Sequence, residues 1–420
     1  MPADQGRPAV LFLSNGHGED AVGAAIAREL SDTLPSARVL AAPIVGDGGP
    51  YRRLGIAVVT PTRPMPSGGF VGLKRSRALW HDLRAGLIRL HLRQARALRR
   101  WAPGVDLVVG VGDRLILYLA RWVIRRPLVF VAIADSAYLT QGREISNPGE
   151  RSLMRKCARV VFTRDHLSAD MLRKYGVPAM FVGNPMMDAF DITGTRLGDA
   201  RDGDPRPTVA ILPGSRAEAY ANFRLALDGV LCAFRAGLRH CRFVAAWADN
   251  LPVAPLSDAL AGTQWCLVPA PGAFGEEEAW AVAHPDGATV TIVTHRFGDV
   301  ISQATAVIGL AGTANEQAAG LGKPVILPRG TGPQLNDAMV RRQRLLLGEA
   351  VRAVEPNGAA IAGALRAVLD DPERYRRMSE VGRSRMGPRG GARRIAQAIA
   401  AQLTHGAGSP GTTPARDLHG

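Results

Sequence analysis

Short apolar runs rich in valine, isoleucine and leucine alternate with amphipathic segments along the whole chain. The runs predict buried strands, and the segments between them, whose apolar residues recur every three or four positions, predict helices. Strand followed by helix, repeated, is typical of an α/β fold with parallel sheets. The predicted strands span residues 9–14, 38–44, 106–112, 128–134, 159–163, 179–182, 208–212, 243–246, 289–293, 306–310 and 323–327.

The pattern divides into two α/β halves at a stretch rich in glycine, aspartate, arginine and proline. We expect an N-terminal domain over residues 1–190, a linker over 191–207 and a second domain over 208–385. A helix within 386–405 is expected to cross back to the first domain, and 406–420 has the composition of a disordered tail. The predicted helices span residues 21–30, 73–101, 115–124, 166–175, 218–236, 338–347, 359–369, 372–381 and 392–403.

Three turns that contain glycine lie between a predicted strand and a predicted helix, at residues 15–20, 213–216 and 311–313. Backbone N–H groups at a helix N-terminus suit a phosphate or diphosphate, and Arg216 in the second turn can pair with phosphate oxygens. In the third turn Thr313 is predicted to cap the helix that follows. Glycine turns are also common architecture in α/β folds, so the pattern alone leaves both interpretations open.

The first turn offers acid–base side chains rather than phosphate-binding ones. Glu19 and Asp20 are interpreted as first-turn residues that complement the helix dipole. His17, which stands between two glycines, is a candidate for chemistry instead. Asp113 follows a predicted strand, where open parallel sheets place their ligands, but it could equally cap the next helix.

The chain is strongly basic, with a net charge of +15 at pH 7 and a pI near 10.6. This charge predicts a polyanionic partner: nucleic acid, an anionic membrane face or a phosphorylated substrate. Aromatic residues make up only 5%, which argues against nucleic acid, since single-strand readers stack bases on them. The four cysteines have no paired spacing, so neither zinc nor a disulfide framework is expected. We find no signal-peptide pattern and no uncharged apolar stretch of about 18 residues, and we therefore expect a cytoplasmic protein.

The predicted helix over residues 73–101 carries most of this charge in one stretch. Nine Lys or Arg residues stand against one acid, Asp82, between Lys74 and Arg100. An arginine stripe opposite a leucine face is most often a solvated helix surface. The apolar loop that precedes the helix favours a second interpretation, a surface that contacts anionic lipid headgroups at the inner face of the membrane. The membrane-facing candidates are Arg89, Arg93, Arg96 and Arg100, and the core-facing residues are Leu79, Leu83, Leu87, Leu90 and Trp101.

Three motifs occur in an order and spacing that resemble lipid-A-disaccharide synthase: VGNP at 182–185, LPGSR at 212–216 and AGTA at 311–314. They are also similar to motifs of the wider GT-B glycosyltransferases and of the UDP-GlcNAc 2-epimerases. The resemblance covers residues 8–403. Because the N-terminal SNGHGED is not the usual pattern of the synthase, the chain resembles a synthase-related protein rather than the synthase itself.

The resemblance implies two Rossmann-like domains facing a cleft and an inverting transfer of a hexose or hexosamine from a UDP-sugar, without metal or cofactor. The implied acceptor is lipid-linked or close to a membrane. It further implies that Gln334 and Asn336 contact the donor sugar, that His295 and Phe297 lie near uracil, and that the ribose-binding Glu corresponds to Gln317, with Glu316 one position earlier. The implied set for the diphosphate is Gly214, Ser215, Arg216, Gly312 and Thr313.

The base that deprotonates the acceptor is expected in the first domain. Asp113 resembles the catalytic aspartate of the synthase, and His17 resembles the glycine-turn histidine of other lipid glycosyltransferases. The acceptor-side residues are expected to be Asn15, Gly16, Gly18 and Glu19.

Two other functions stay open at this point. A 2-epimerase would act on the free nucleotide sugar, but that family uses further carboxylates near the cleft, which the sequence does not place. A non-catalytic protein that binds nucleotide sugars is the other alternative.

Overall fold

The computed structural model describes residues 7–62, 87–196, 206–270, 279–330, 332 and 335–405. It divides into two compact units. The first contains residues up to 137, residues 142–189 and the chain from 389 onward, and the second contains 138–141 and 190–388. The predicted loop and helix segments over 63–86, including Leu79 and Leu83, lie outside the described residues. So do the middle of the linker (197–205), Gln334 and the C-terminal tail.

The first unit is built on a sheet of seven strands in the order β3-β2-β1-β4-β5-β6-β7. All neighbouring strands in it are parallel. Val10–Leu13 of β1 and Leu107–Val109 of β4 are fully buried, as expected for central strands covered on both faces. The strands are β1 (Ala9–Ser14), β2 (Arg38–Pro43), β3 (Ala57–Val58), β4 (Leu107–Val111), β5 (Leu128–Ala132), β6 (Ala158–Thr163) and β7 (Ala179–Met180).

Helices cover this sheet, and the last helix of the chain is one of them. The helices are α1 (His17–Thr33), α2 (Gly49–Arg53), α3 (Leu87–Trp101), α4 (Arg114–Tyr118), α5 (Pro148–Cys157), α6 (His166–Lys174) and α14 (Gly391–His405). Helix α14 packs against α1. Its start is fixed by Asp188, whose two carboxylate oxygens accept hydrogen bonds from the N–H groups of Gly390 (2.7 Å) and Ala392 (2.8 Å). The prediction that the C-terminal helix returns to the first domain is confirmed.

The second unit has a sheet of eight strands in the order β10-β11-β12-β9-β8-β13-β14-β15. Strands β12, β9, β8, β13, β14 and β15 are parallel, whereas β10 and β11 form an antiparallel extension. The strands are β8 (Thr208–Leu212), β9 (Arg242–Ala246), β10 (Cys266–Pro269), β11 (Trp280–Ala283), β12 (Thr289–Val293), β13 (Ala306–Gly309), β14 (Val325–Pro328) and β15 (Val351–Val354). The helices are α7 (Ala219–Arg235), α8 (Leu256–Ala259), α9 (Phe297–Gln303), α10 (Thr313–Gly320), α11 (Asp337–Leu347), α12 (Gly358–Leu369) and α13 (Pro372–Met386).

Several local predictions need correction. The segment predicted as a loop after β2 contains α2 and β3, and the helix predicted over 115–124 is a short α-helix that continues as a π-helix over Leu119–Ile124. The hairpin β10-β11 and helix α5 were not predicted. Thr193, predicted to belong to a linker, lies in the second unit, where its N–H and hydroxyl donate to Asp299 at 2.8 and 2.7 Å.

Candidate functional site

The first unit gathers polar residues along one edge of its sheet. Strands β2, β1, β4 and β5 are adjacent and parallel, so the turns after them meet at the same edge. These turns carry Asp47, residues 15–20, Asp113 and Asp135. The chain passes from β1 to β2 on one side and returns to β4 on the other, and open α/β sheets bind ligands at such a switch point.

Helix α1 begins earlier than its sequence pattern predicts. Gly16, with φ 142°, is the N-cap, and His17 is the first helical residue. His17 therefore lies in the first turn of the helix and not in a glycine turn, which corrects the prediction that the helix starts at residue 21. Glu19 and Asp20 occupy the first turn, as the dipole argument predicts.

Asp113 is held at the N-terminus of α4. Its Oδ1 accepts a hydrogen bond from the N–H of Leu115 at 3.0 Å, so it does cap this helix. The amide Nδ2 of Asn15 lies 3.1 Å from each of its carboxylate oxygens. Burial raises the pKa of Asp113, while these hydrogen bonds act in the opposite direction. Asp113 therefore caps α4 and also lies at the sheet edge where the candidate site is.

Glu19 lies between the turn after β1 and the turn after β4. Its side chain is next to Gly16 and Gly112, and its carboxylate accepts a hydrogen bond from its own backbone N–H. Burial raises the pKa of Glu19 to about 7, and the negative charge of Asp113 adds to this. A carboxyl group with that pKa can hold or release a proton near neutral pH.

Asp20 is fully buried one residue further along α1. Its Oδ1 accepts a hydrogen bond of 2.6 Å from the hydroxyl of Ser14, which in turn accepts one of 3.0 Å from the hydroxyl of Tyr51. Burial raises the pKa of Asp20 to about 7. Its Oδ2 has no hydrogen-bond partner among the described residues. This chain of three buried side chains was not found from the sequence, because Tyr51 lies in a segment predicted to be a loop.

His17 lies beside the turn after β2. Its side chain is exposed, and its ring lies beside Gly46, close to where a side chain on that glycine would stand. The N–H of Gly49 donates to Asp47 at 3.0 Å, and this hydrogen bond, together with the nearby charge of His17, lowers the pKa of Asp47. The structure thus brings Asn15, Gly16, Glu19 and Asp113 together and places His17 by a different loop.

The second unit also concentrates its candidate residues at one sheet edge. The turns after β12, β9, β8, β13 and β14, which are consecutive in the sheet, all lie at the carboxyl ends of parallel strands. They contain His295, residues 247–250, Gly214–Arg216, Gly312 and Gly330. Arg216 is exposed there, and the amide of Asn250 donates to the carbonyl of Ser215 at 2.9 Å.

The turn after β13 leads into α10, but its cap differs from the prediction. Gly312 is the N-cap and Thr313 is the first helical residue, exposed and without a side-chain capping bond. The N–H of Asn315 in the first turn of α10 donates to the carbonyl of Gly312 at 3.2 Å, and the positive end of the helix is still suited to an anion. Gln317 is only 7% exposed, whereas Glu316 is more accessible.

Other predicted donor residues have structural partners of their own. The backbone N–H of His295 donates to Asp249 at 2.8 Å, and its ring Nδ1 lies 3.3 Å from the same carboxylate. The ring of Phe297 packs edge-on against Phe190 with centroids 5.5 Å apart. Asn336 is the N-cap of α11 and accepts a hydrogen bond from the N–H of Met339 at 3.0 Å.

Three neighbours of this edge were missed from the sequence. Asp249 and Asn250 follow β9 and contact His295 and Ser215, and the carboxylate of Glu218 lies against Gly332. A polar Asp-Asn pair shortly after the end of a buried strand was the available signal, since open parallel sheets bind ligands at strand ends.

Helix α3 has one exposed face that is both basic and apolar. Arg89, Arg93, Arg96 and Arg100 are all exposed, as predicted, and Leu90 and Leu98 are buried. Ile88 and Leu92 are 62% and 53% exposed on the same helix. The π-helical turn that packs beside α3 adds Trp122, 49% exposed, whose ring lies 5.2 Å from that of Tyr118. We call this set, with the four arginines, the α3 surface: Ile88, Leu92, Tyr118 and Trp122.

No protein-family model matches the sequence, and no curated protein matches it. Solved structures do match. The calicheamicin glycosyltransferase is similar over 96% of this chain and 99% of its own, with 17% identity and a TM-score of 0.59. MurG of Acinetobacter baumannii covers 94% of this chain and 99% of its own, with 14% identity and a TM-score of 0.53. A UDP-N-acetylglucosamine 2-epimerase homologue from Listeria monocytogenes covers 95% of this chain and 97% of its own, with 14% identity and a TM-score of 0.55. The chain has the GT-B fold.

The GT-B fold confirms the predicted pair of Rossmann-like domains. The structural neighbours of the chain named above are enzymes of two kinds, glycosyltransferases and UDP-N-acetylglucosamine 2-epimerases. The fold by itself therefore does not show which of these reactions a protein catalyses. Among the described residues of this GT-B chain, no group of His, Cys, Asp and Glu side chains is arranged to hold a metal ion. None of its described helices is long and apolar enough to cross a bilayer.

Proposed function

We propose that the protein is a glycosyltransferase that moves a hexose or hexosamine from a UDP-sugar to a lipid-linked or membrane-proximal acceptor. The observation that carries this proposal is the α3 surface. Exposed Ile88, Leu92 and Trp122 beside exposed arginines match an anionic lipid surface, because the apolar groups can enter the interface while the guanidinium groups pair with headgroup phosphates. An enzyme acting only on a free nucleotide sugar has no need of such a face.

The second unit supplies the donor side of the proposal. Arg216 and the N-terminus of α10 stand at the ends of neighbouring strands β8 and β13. A positive side chain and a helix N-terminus would bind the diphosphate and stabilise the charge that develops on it as the sugar leaves. The resemblance implies an inverting transfer. We expect it to be independent of metal, since these groups take the place that a cation would have at the leaving group.

The test combines membrane binding with product analysis. The full chain is floated with phosphatidylglycerol vesicles and compared with the variant in which Arg89, Arg93, Arg96 and Arg100 are all Gln. Each basic residue near an anionic surface contributes about 1 kcal/mol, so the variant should lose most of its binding. Binding of the native chain should also fall steeply as salt rises, because the Debye length is only about 8 Å at physiological ionic strength.

A matched control changes the same charge elsewhere. Arg341, Arg344, Arg352 and Arg376 are exposed on the second unit, and their replacement by Gln should leave flotation close to native. In parallel, UDP-N-acetylglucosamine labelled in the sugar is incubated with the chain and extracted membrane lipid, and we expect label in the lipid phase together with release of UDP. Equal flotation of both variants and the native chain, with no UDP released, would overturn the proposal.

A second candidate function is a nucleotide-sugar 2-epimerase. It is favoured by the carboxylates of the first unit, where Asp135 adds its charge to the environment of Asp113 and Glu19 lies close by. Conversion of labelled UDP-N-acetylglucosamine to its C2 epimer, with no UDP release and no lipid requirement, would support this candidate.

A further inference from the structure

Two glycines of the first unit leave space for the side chain of Glu19. A Cβ atom on Gly16 would stand 2.5 Å from Oε2 of Glu19, and one on Gly112 would stand 3.2 Å from its Cγ. Both glycines have positive φ angles, 142° and 129°, which side chains rarely adopt. Any larger residue at either position would displace the side chain of Glu19. The turns after β1 and β4 therefore fix the position of this side chain together.

Glu19 and Asp113 differ in how many hydrogen bonds they accept. Asp113 accepts from the amide of Asn15 and from the N–H of Leu115. These donors stabilise its ionised form and occupy the lone pairs that a substrate proton would need. Glu19 accepts only from its own N–H among the described residues, which leaves lone pairs of its carboxylate open to a ligand.

A second group next to this pair is also open to a ligand. Asn15 is only 8% exposed, and while its Nδ2 donates to Asp113, its Oδ1 has no partner among the described residues. A buried acceptor without a partner destabilises the fold unless something donates a hydrogen bond to it. A sugar hydroxyl bound beside Glu19 would satisfy it.

We propose that Glu19 is the catalytic base that accepts the proton of the acceptor hydroxyl, with Asp113 on the neighbouring turn as a positioning residue. This inference rests on the transferase function proposed above. The hydroxyl oxygen forms the new bond to the anomeric carbon of the donor, and its proton passes to the Glu19 carboxylate. The bond between that carbon and the diphosphate oxygen breaks, its electron pair leaves with UDP, and Glu19 later releases the proton to water.

The electrostatics of the site agree with this role. Burial, followed by the charge of Asp113, raises the pKa of Glu19 to about 7, so a base form and an acid form are both populated near neutral pH. The charged groups around it are Asp113 across the turn and Asp20 on the same helix. Beyond Asp113 lie Arg114 and Asp135, whose charges lower and raise the pKa of Asp113 respectively.

The test measures the titration of Glu19 and turnover in the same variants of the full chain. Glutamate is labelled with ¹³C at Cδ, and the signal lost in Glu19→Gln identifies the residue. We expect a midpoint near 7 in the native chain and a lower midpoint in Asp113→Asn, because the neighbouring negative charge is removed. UDP release from UDP-N-acetylglucosamine with extracted membrane lipid should fall by about 100-fold or more in Glu19→Gln, with KM for the donor unchanged.

The pH profile separates catalysis by Glu19 from a structural effect. The native kcat/KM should rise with pH to a plateau with a midpoint near 7, and Asp113→Asn should move that midpoint to lower pH. Asp32→Asn, an exposed change on the same helix, serves as the control. Native-like turnover by Glu19→Gln, or a Glu19 midpoint in the ordinary carboxyl range that does not respond to Asp113→Asn, overturns the inference. Production of a C2 epimer without UDP release would instead remove the transferase function and with it this role for Glu19, whatever the titration shows.

Discussion

Asn315 and Gln343 are joined by a hydrogen bond of 2.9 Å from Nδ2 to Oε1, although they lie 28 positions apart in the chain. Both side chains are buried. Asn315 also donates to the carbonyl of Gly309 at 3.2 Å, and Gln343 donates to the carbonyl of Ala311 at 2.8 Å. The pair therefore fixes the glycine turn between β13 and α10 from inside, while the N-terminus of α10 stays open to solvent.

This pair should be energetically coupled. Asn315→Ala and Gln343→Ala are each expected to lower the free energy of unfolding by about 1–3 kcal/mol, because each leaves buried polar groups without partners. The free energy of unfolding of the double variant should fall by less than the sum of the two single losses, with a difference of about 0.5–3 kcal/mol. The reason is that the hydrogen bond between the two side chains is lost only once. Urea denaturation of the four proteins measures this coupling. Strictly additive losses would show that the two residues act independently.

Arg216 should contribute to binding of the sugar donor and not to the stability of the fold. Arg216→Ala is expected to weaken binding of a UDP-sugar by about 1.5–3 kcal/mol, because the diphosphate loses a charge-assisted hydrogen bond. Isothermal titration with UDP-N-acetylglucosamine measures the change. Arg224→Ala, an exposed arginine on α7 of the same unit, is the matched control and should bind as the native protein does. Equal affinities for the two variants would place Arg216 outside the donor site.

Replacement of two glycines inside helices by alanine should change the stability of the protein in opposite directions. A Cβ on Gly382 of α13 would collide with the backbone carbonyl oxygen of Ala319 in α10, whereas nothing lies within 4 Å of the corresponding position at Gly363 of α12. Gly382→Ala should therefore destabilise the protein by about 1–3 kcal/mol. Gly363→Ala should stabilise it by about 0.4–1 kcal/mol, because alanine restricts the unfolded chain. Thermal and urea unfolding of both variants give the two signs, and loss of stability in Gly363→Ala would contradict the packing described here.

Asp20 should make the protein less stable at higher pH. Its pKa is raised to about 7 in the folded state, mainly by burial, and the facing groups are Ser14, Glu19, Asp47 and Tyr51. Below pH 4 both states are protonated. Between pH 4 and 7 only the unfolded chain ionises, so stability falls across this window. Asp20→Asn keeps an oxygen for the Ser14 hydroxyl and removes the charge.

We therefore expect Asp20→Asn to be more stable than the native protein at pH 8 by more than about 1.4 kcal/mol, the equivalent of one pKa unit, and close to it at pH 4. Urea denaturation at both pH values is the measurement. Asp32→Asn, exposed on the same helix, should stay within about 0.5 kcal/mol of native at both. An Asp20→Asn variant whose pH dependence matches the native one would show that Asp20 ionises normally in the fold.

Local periodicity determined the strands and helices of the doubly wound sheets. The runs at 9–14, 208–212 and 289–293 are strands with the predicted bounds. The first two are buried at every position, as a parallel strand covered on both faces requires, whereas the third alternates threonine with valine and isoleucine. The exposed arginines of α3 followed from helical spacing in the same way. The start of α1 was missed, since glycine at 16 and 18 weakens any sequence signal for a helix while Gly16 in fact caps it.

The sites depended on contacts that no local pattern contains. Asn15 and Asp113 are 98 positions apart, and they meet because β1 and β4 are neighbours in the sheet, although strands β2 and β3 and helices α1, α2 and α3 lie between them along the chain. The same strand order seats Glu19 between Gly16 and Gly112 and gives its carboxyl a raised pKa. From the sequence, Glu19 was a first-turn acid on the acceptor side, whereas His17 and Asp113 were the candidates for the base. Residue types and helix termini are local properties, but burial and charge–charge distance, which set the chemistry of a carboxyl group, arise only when the sheet is assembled.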